Sequence, residues 1–257
     1  MYKVKGSRRG VVFCIHGNSS SSNIYRELMS STEILYSKIS VDLLGHGKKQ
    51  SSTYTCNDIS IDAQKKYLIS VLSNIDEPIL LIGHSLGGHF AIDIASKVKS
   101  IIGLVLIGTP PLKKPLNFEE AFNSTPSLNI FLEGRPDQSK IEESVKSLLY
   151  RKDAAYLIIN DYNNTNTNFR TCTNKDVVAG KLPDEFTIFS NLKIQRFIIA
   201  GDQDVVINRD YLEYVKNSCM GYCEIIDLEN CGHYPQIDKS LEFVSSINYI
   251  TQKVFIS

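Results

Sequence analysis

Ser85 stands in Ile-Leu-Leu-Ile-Gly-His-Ser-Leu-Gly-Gly, where an apolar run stops at Gly83 and a helix-like segment begins at Leu86. A strand that feeds Gly-x-Ser-x-Gly and then a helix forces its serine into a tight turn and lifts the hydroxyl above the sheet edge. Gly83 and Gly87 are needed because a side chain at either position would collide across the turn, and Gly88 lets the new helix lie close to neighbouring strands. The chemistry such a serine offers is nucleophilic attack on a carbonyl. A hydroxyl is a poor nucleophile at neutral pH, so it needs a base within hydrogen-bond reach and a carboxylate to orient that base.

The base must come from five histidines, at 16, 46, 84, 89 and 233. His84 and His89 lie on the turn itself, which should point them away from the serine hydroxyl and leave them structural. His233 lies in Glu-Asn-Cys-Gly-His-Tyr-Pro, after the last apolar run and before the final helical segment. The order serine, acid, histidine puts a base on that loop, where it can arch over the serine. For the acid, the run at 196–200 leads into Gly-Asp-Gln-Asp. A turn built on Gly201 and Asp202 projects Asp204 toward the sheet edge, while Asp202 bonds its own backbone in the turn. Asp227 is a weaker competitor.

Attack on a carbonyl creates an oxyanion, so two backbone donors are expected. One is the amide of Leu86, next after the serine and at a helix N-terminus, where the helix dipole also favours negative charge. The other should come from the loop in Val-Val-Phe-Cys-Ile-His-Gly-Asn-Ser-Ser, with Asn18 as the donor and Ser19 as the alternative; His16 then holds the loop.

These residues need a scaffold that brings strand ends together. Apolar runs at 11–15, 39–44, 79–82, 101–107, 194–200 and 222–228 have the character of strands buried on both faces, which indicates a parallel sheet. Segments 58–74, 86–98, 208–217 and 238–253 have the length and spacing of amphipathic helices that cover it. The predicted class is α/β, a mostly parallel doubly wound sheet. Residues 110 to 190 break the alternation, with helices expected near 118–122, 141–150 and 154–161, so this stretch reads as an insertion at the carboxyl edge of the sheet, where ligands bind. Segment 160–174 holds six asparagines and four threonines, a composition that fits a mobile loop or a mere drift toward asparagine without functional meaning.

Composition narrows the function classes. The 28 basic and 28 acidic residues leave no formal net charge, and no basic tract points to nucleic acid. No apolar run is long enough to cross a bilayer. The six cysteines, at 14, 56, 172, 219, 223 and 231, have no regular spacing and are read as reduced thiols in a cytoplasmic protein. Cys219 and Cys223 lack a second pair at ligand spacing, so no metal site is expected.

Taken in order, His-Gly-Asn at 16–18, Asp-Leu-Leu-Gly-His-Gly at 42–47, Gly-His-Ser-Leu-Gly-Gly at 83–88, Gly-Asp-Gln-Asp at 201–204 and Gly-His-Tyr-Pro at 232–235 resemble the motifs of the α/β-hydrolase fold superfamily. The resemblance implies a core made of residues 1–110 and 191–257, a helical cap at 111–190 and a structural role for His46. It also implies a Ser85, Asp204 and His233 triad with no cofactor. Relatives usually carry two further strands before the His-Gly strand, whereas about ten residues precede it here, so the first edge of the sheet should be shortened. His-Gly-Asn also occurs in relatives that dehalogenate, but those use an aspartate nucleophile where this chain has Ser85.

Substrate choice in such proteins resides in the cap, where Phe118, Phe122, Arg135 and Arg170 are candidates for an apolar pocket with an anionic anchor. Arginine suits a carboxylate because its planar fork bonds it bidentately. The expected function is hydrolysis of a small carboxylic ester, lactone or thioester through an acyl-enzyme. Acyl transfer to an acceptor, carbon–carbon bond hydrolysis and non-catalytic ligand binding on the same fold are the alternatives. The expected partner is a small molecule, and nothing in the sequence selects between a monomer and a homodimer.

Overall fold

The computed structural model describes residues 1–256. Seven strands form one sheet: β1 Tyr2–Val4, β2 Arg8–Ile15, β3 Tyr36–Val41, β4 Ile79–His84, β5 Ile101–Ile107, β6 Gln195–Gly201 and β7 Cys223–Leu228. Their order is β1-β3-β2-β4-β5-β6-β7, with β1 antiparallel to β3 and every other pair parallel. The doubly wound class read from the sequence is therefore the observed one. The first edge is a single strand of three residues.

The central strands are long apolar runs because helices cover both of their faces. Ile79, Leu80, Leu81 and Ile82 of β4 are fully buried, as are Leu104 to Ile107 of β5. Each such side chain contributes about 1.5–3 kcal/mol on burial, which fixes the strand ends that carry the candidate site. The helices are α1 Arg26–Ser30, α2 Ile61–Leu72, α3 Leu86–Ala95, α4 Phe118–Ala121, α5 Gln138–Ser147, α6 Ala155–Asn163, α7 Thr167–Val178, α8 Glu185–Asn191, α9 Arg209–Asn217, α10 Pro235–Asp238 and α11 Ser240–Ile256. Helix α1 packs on α11, while α2, α3, α8 and α9 touch in succession. All ten residues of α3 are buried, so the helix that follows Ser85 is held on every side.

The connection from β5 to β6 carries α4 to α8 and, among the described residues, no strand beyond an isolated bridge between Phe122 and Ile207. Two sequence expectations fail here. Segment 160–174 is not a loop: α6 runs to Asn163 and α7 starts at Thr167. Its polar residues do local work, with the Asn166 side chain capping α7 through the Asn168 amide at 2.9 Å, while Phe169 and Cys172 supply a buried face that average composition hides. Nor are all six cysteines reduced, since Cys56 and Cys172 form a disulfide across 116 residues of sequence. Irregular spacing concealed a pair that the fold brings together, and the cysteine content therefore no longer argues for a reducing compartment.

Candidate active site

Ser85 joins β4 to α3 with φ 50° and ψ −121°, a conformation that a side-chain-bearing residue adopts only when its surroundings over-determine it. The Ser85 amide donates to Ile107 O at 2.8 Å, and its carbonyl accepts from Thr109 Oγ1 at 2.9 Å and from the Gly88 amide at 2.8 Å. A Cβ on Gly88 would lie 2.2 Å from Thr109 Oγ1, and one on Gly87 would lie 2.4 Å from His16 O. The two glycines thus let α3 start directly against β2 and β5. The amide of Leu86, at the first position of α3, has no intrahelical acceptor.

His233 is buried, and its Nδ1 donates to Asp204 Oδ2 at 2.8 Å. Asp204 Oδ1 accepts the Val206 amide at 2.8 Å, so both carboxylate oxygens are oriented. With Nδ1 bound to the carboxylate, Nε2 is left as the acceptor. The competing acids are engaged elsewhere: Asp202 accepts the Cys231 amide at 3.1 Å, and Asp227 pairs with Arg209 at 2.8 Å.

The histidine loop is fixed by its backbone. The His233 amide donates to Leu148 O at 2.8 Å, and its carbonyl accepts from His84 Nε2 at 2.9 Å. Burial and the neighbouring His233 hold His84 well below the usual histidine range, which keeps this donor neutral. Asp238, buried at the end of α10, accepts the amides of Gly232 at 2.8 Å, Tyr150 at 3.0 Å and Arg151 at 2.8 Å. Sequence reasoning missed this anchor, because in the sequence Asp238 reads as a residue of the final surface helix.

The His-Gly-Asn loop lies against the serine turn, since a Cβ on Gly17 would sit 3.0 Å from Ser85 Cβ. His16 Nδ1 donates to Gly17 O at 2.8 Å, and its Nε2 accepts the Leu43 amide at 3.0 Å. His46 Nε2 accepts the Ser19 amide at 3.1 Å. Of the two oxyanion donors weighed from the sequence, the Ser19 amide is therefore already taken. Burial pushes His16 down to about 4 and His46 well below its ordinary value, which fits rings that accept backbone amides.

The four candidate substrate contacts are dispersed. Phe118 is exposed and stacks on Phe122 at 6.1 Å, and Arg135 is exposed. Arg170 is 2% exposed, and its guanidinium donates to Glu133 O, Gly134 O, Tyr162 O and Ser19 Oγ. The expectation that it anchors a substrate carboxylate fails, because the fork is already filled by the protein. Among the described residues, no hydrogen bond joins the Ser85 hydroxyl to the His233 ring, no group of three or more His, Cys, Asp or Glu side chains is placed to hold a metal ion, and no helix is long and apolar enough to cross a membrane.

The arrangement brings a serine in a strained turn, a carboxylate-bound imidazole and the Leu86 amide to loops at the carboxyl ends of the strands, groups that can do nucleophilic chemistry on a carbonyl. The family model described as "Alpha/beta hydrolase family" matches residues 11–246. The chain belongs to this family. Among curated proteins, this α/β hydrolase is 30% identical to protein phosphatase methylesterase 1 of Bos taurus over 160 residues, a match that covers 57% of this chain and 40% of that protein. The chain thus spans about two-fifths of the length of these curated relatives. Among solved structures, a mutant of the N-acyl homoserine lactonase AidH complexed with N-hexanoyl homoserine superposes with a TM-score of 0.84 at 20% identity, covering 98% of this chain and 91% of that one. A putative aryl esterase from Burkholderia cenocepacia gives a TM-score of 0.81 at 14% identity, covering 100% and 94%. At these identities the likeness is one of fold.

Proposed function

We propose that this α/β hydrolase is a serine hydrolase that cleaves a small carboxylic ester, lactone or thioester through an acyl-enzyme, using only its own side chains and amides. The observation that carries the reading is the Asp204–His233 hydrogen bond at 2.8 Å on strand-end loops beside a serine held at φ 50°. The names of its relatives, a methylesterase, a lactonase and an aryl esterase, support an ester-type bond over other substrates of the fold.

In this mechanism Ser85 Oγ attacks the carbonyl carbon while His233 Nε2 takes its proton. Asp204 keeps the ring in the Nδ1–H tautomer and stabilises the imidazolium that forms. The amides of Leu86 and Asn18 receive the oxyanion, and each such donor is worth about 2.7–4 kcal/mol in the transition state. Collapse of the tetrahedral intermediate expels the alcohol or thiol, which takes its proton from His233. Water then attacks the acyl-enzyme with His233 again as base, releasing the acid and restoring the Ser85 hydroxyl. Residues 111–190 act as the cap over this site.

Treatment with a serine-directed phosphonate followed by peptide mapping tests the reading. One adduct per chain on Ser85 is expected. A folded protein with no adduct at Ser85 would overturn it.

A further inference from the structure

Ser19 is fully buried and has φ 53°, a left-handed conformation that costs a residue with a side chain about 1–3 kcal/mol and persists only where its contacts impose it. Its contacts do impose it. The amide donates to His46 Nε2 at 3.1 Å, while the hydroxyl accepts from Arg170 Nη1 at 3.1 Å and donates to Asn18 Oδ1 at 2.9 Å. Asn18 Nδ2 in turn donates to Phe131 O at 3.2 Å. The residue whose amide is assigned to the oxyanion is thus gripped on both ends of its side chain, and both grips lead to the segment between β5 and β6.

Arg170 is the fixed post of this chain of contacts. Its Nε donates to Glu133 O at 3.0 Å and its Nη2 to Gly134 O at 2.9 Å, and the guanidinium lies 4.1 Å from the centre of the Tyr162 ring. Its donors go to three carbonyls and a hydroxyl, none of them a carboxylate. A buried guanidinium without a carboxylate is costly, and burial does lower its pKa from the ordinary arginine value. Its helix cannot drift away from the loop. Cys172 is bonded to Cys56, the Asn166 amide donates to Gly45 O at 2.8 Å, and Phe169 meets the His46 ring edge-on at 4.2 Å.

We infer that Arg170 and Ser19 are positioning residues that set the Asn18 amide for the oxyanion and so couple the inserted segment to the catalytic loop. The planar fork reaches Ser19 and the carbonyls of Glu133, Gly134 and Tyr162 at once, whereas a lysine ammonium carries its three donors on one nitrogen and cannot span them. The inference rests on the Ser85 acyl-enzyme reading, because an oxyanion donor has meaning only there.

The test combines Arg170→Met, Arg170→Lys and Ser19→Ala, with hydrolysis of a p-nitrophenyl ester, inhibition by a boronic acid that mimics the tetrahedral intermediate, and thermal unfolding. Expected is a loss of kcat of tenfold or more in Arg170→Met and Ser19→Ala, toward the roughly hundredfold that a 1 Å misplacement costs. KM should stay unchanged, boronic acid affinity should fall in parallel with kcat, and Arg170→Lys should recover part of both. The double variant should lose no more than the worse single one. If Arg170→Met does not fold, Ser19→Ala, which removes one oxygen atom, decides alone. Wild-type kcat in the folded variants, or a loss confined to KM, overturns the inference while leaving Ser85 as nucleophile. A wild-type protein that neither turns over ester nor takes a phosphonate on Ser85 overturns the enzyme reading, and this inference with it.

Discussion

Gly108 and His233 meet so closely that no side chain fits between them: a Cβ on Gly108 would lie 2.7 Å from His233 Cε1 and 3.5 Å from Asp204 Oδ2. Gly108 also has φ 52°, in the left-handed region that glycine enters without cost. Gly108→Ala is therefore expected to displace the imidazole from its carboxylate. Ester hydrolysis should fall by about 10² or more, the cost of a 1 Å misplacement, with kcat affected more than KM. Steady-state kinetics on a p-nitrophenyl ester checks this, and wild-type kcat in a folded Gly108→Ala protein would count against the placement of His233.

The two aspartates of Gly-Asp-Gln-Asp should separate cleanly. Asp204→Asn leaves the geometry in place but presents an amide where the Nδ1–H needs an acceptor, and the expected loss in kcat is about 10³–10⁴. Asp202→Asn removes the charge from a carboxylate that serves turn contacts, the one to the Cys231 amide among them, and should retain near wild-type kcat. The reverse ranking would reassign the acid.

Acidification should unfold the protein through its buried histidines. His16 is shifted from 6.5 to about 4, and His46 and His84 also lie well below their ordinary value, all mainly by burial. Between pH 6.5 and 4 the unfolded chain therefore binds more protons, and stability is lost as the pH falls through that window, by about 3 kcal/mol at most from His16. Protonation would also set an N–H against the Leu43 or Ser19 amide. Asp161, raised to about 6 mainly by its burial, acts in the opposite sense and costs stability as the pH rises through 6. Urea unfolding at pH 7.5 and 5 should show the loss, and Asp161→Asn should make it steeper.

The Cys56–Cys172 bridge should be detectable as a linked peptide pair in a non-reducing digest. Because it closes a loop of more than one hundred residues, Cys56→Ser or a dithiol reductant should lower unfolding free energy by about 2–4 kcal/mol. Equal denaturation midpoints with and without reductant would contradict it.

Local sequence carried the strands and the serine turn, because fully buried strands need unbroken apolar runs and the turn needs glycines at fixed offsets. The turn reading of Asp202, as bonded to its own backbone, left out the Cys231 amide that its carboxylate accepts, a contact that only the fold supplies. What remained hidden depends on contacts between distant segments. Arg170 looks like a surface anchor until Glu133, Gly134, Tyr162 and Ser19 are folded around it. Cys56 and Cys172 become partners only when α7 docks near the loop before α2, and Asp238 becomes an anchor only when residues 150 and 151 reach it. The asparagines of 160–174 misled because composition says nothing of a cap residue such as Asn166 or of the buried face behind it.

The proposed mechanism stands on Ser85 as the nucleophile of an ester hydrolase. Initial rates on p-nitrophenyl esters of increasing acyl length, compared between the wild type and Ser85→Ala, decide that assignment. Expected is turnover by the wild type with a preferred chain length, and a rate near the uncatalysed background for a Ser85→Ala protein of unchanged fold. Equal rates in the two proteins would contradict it.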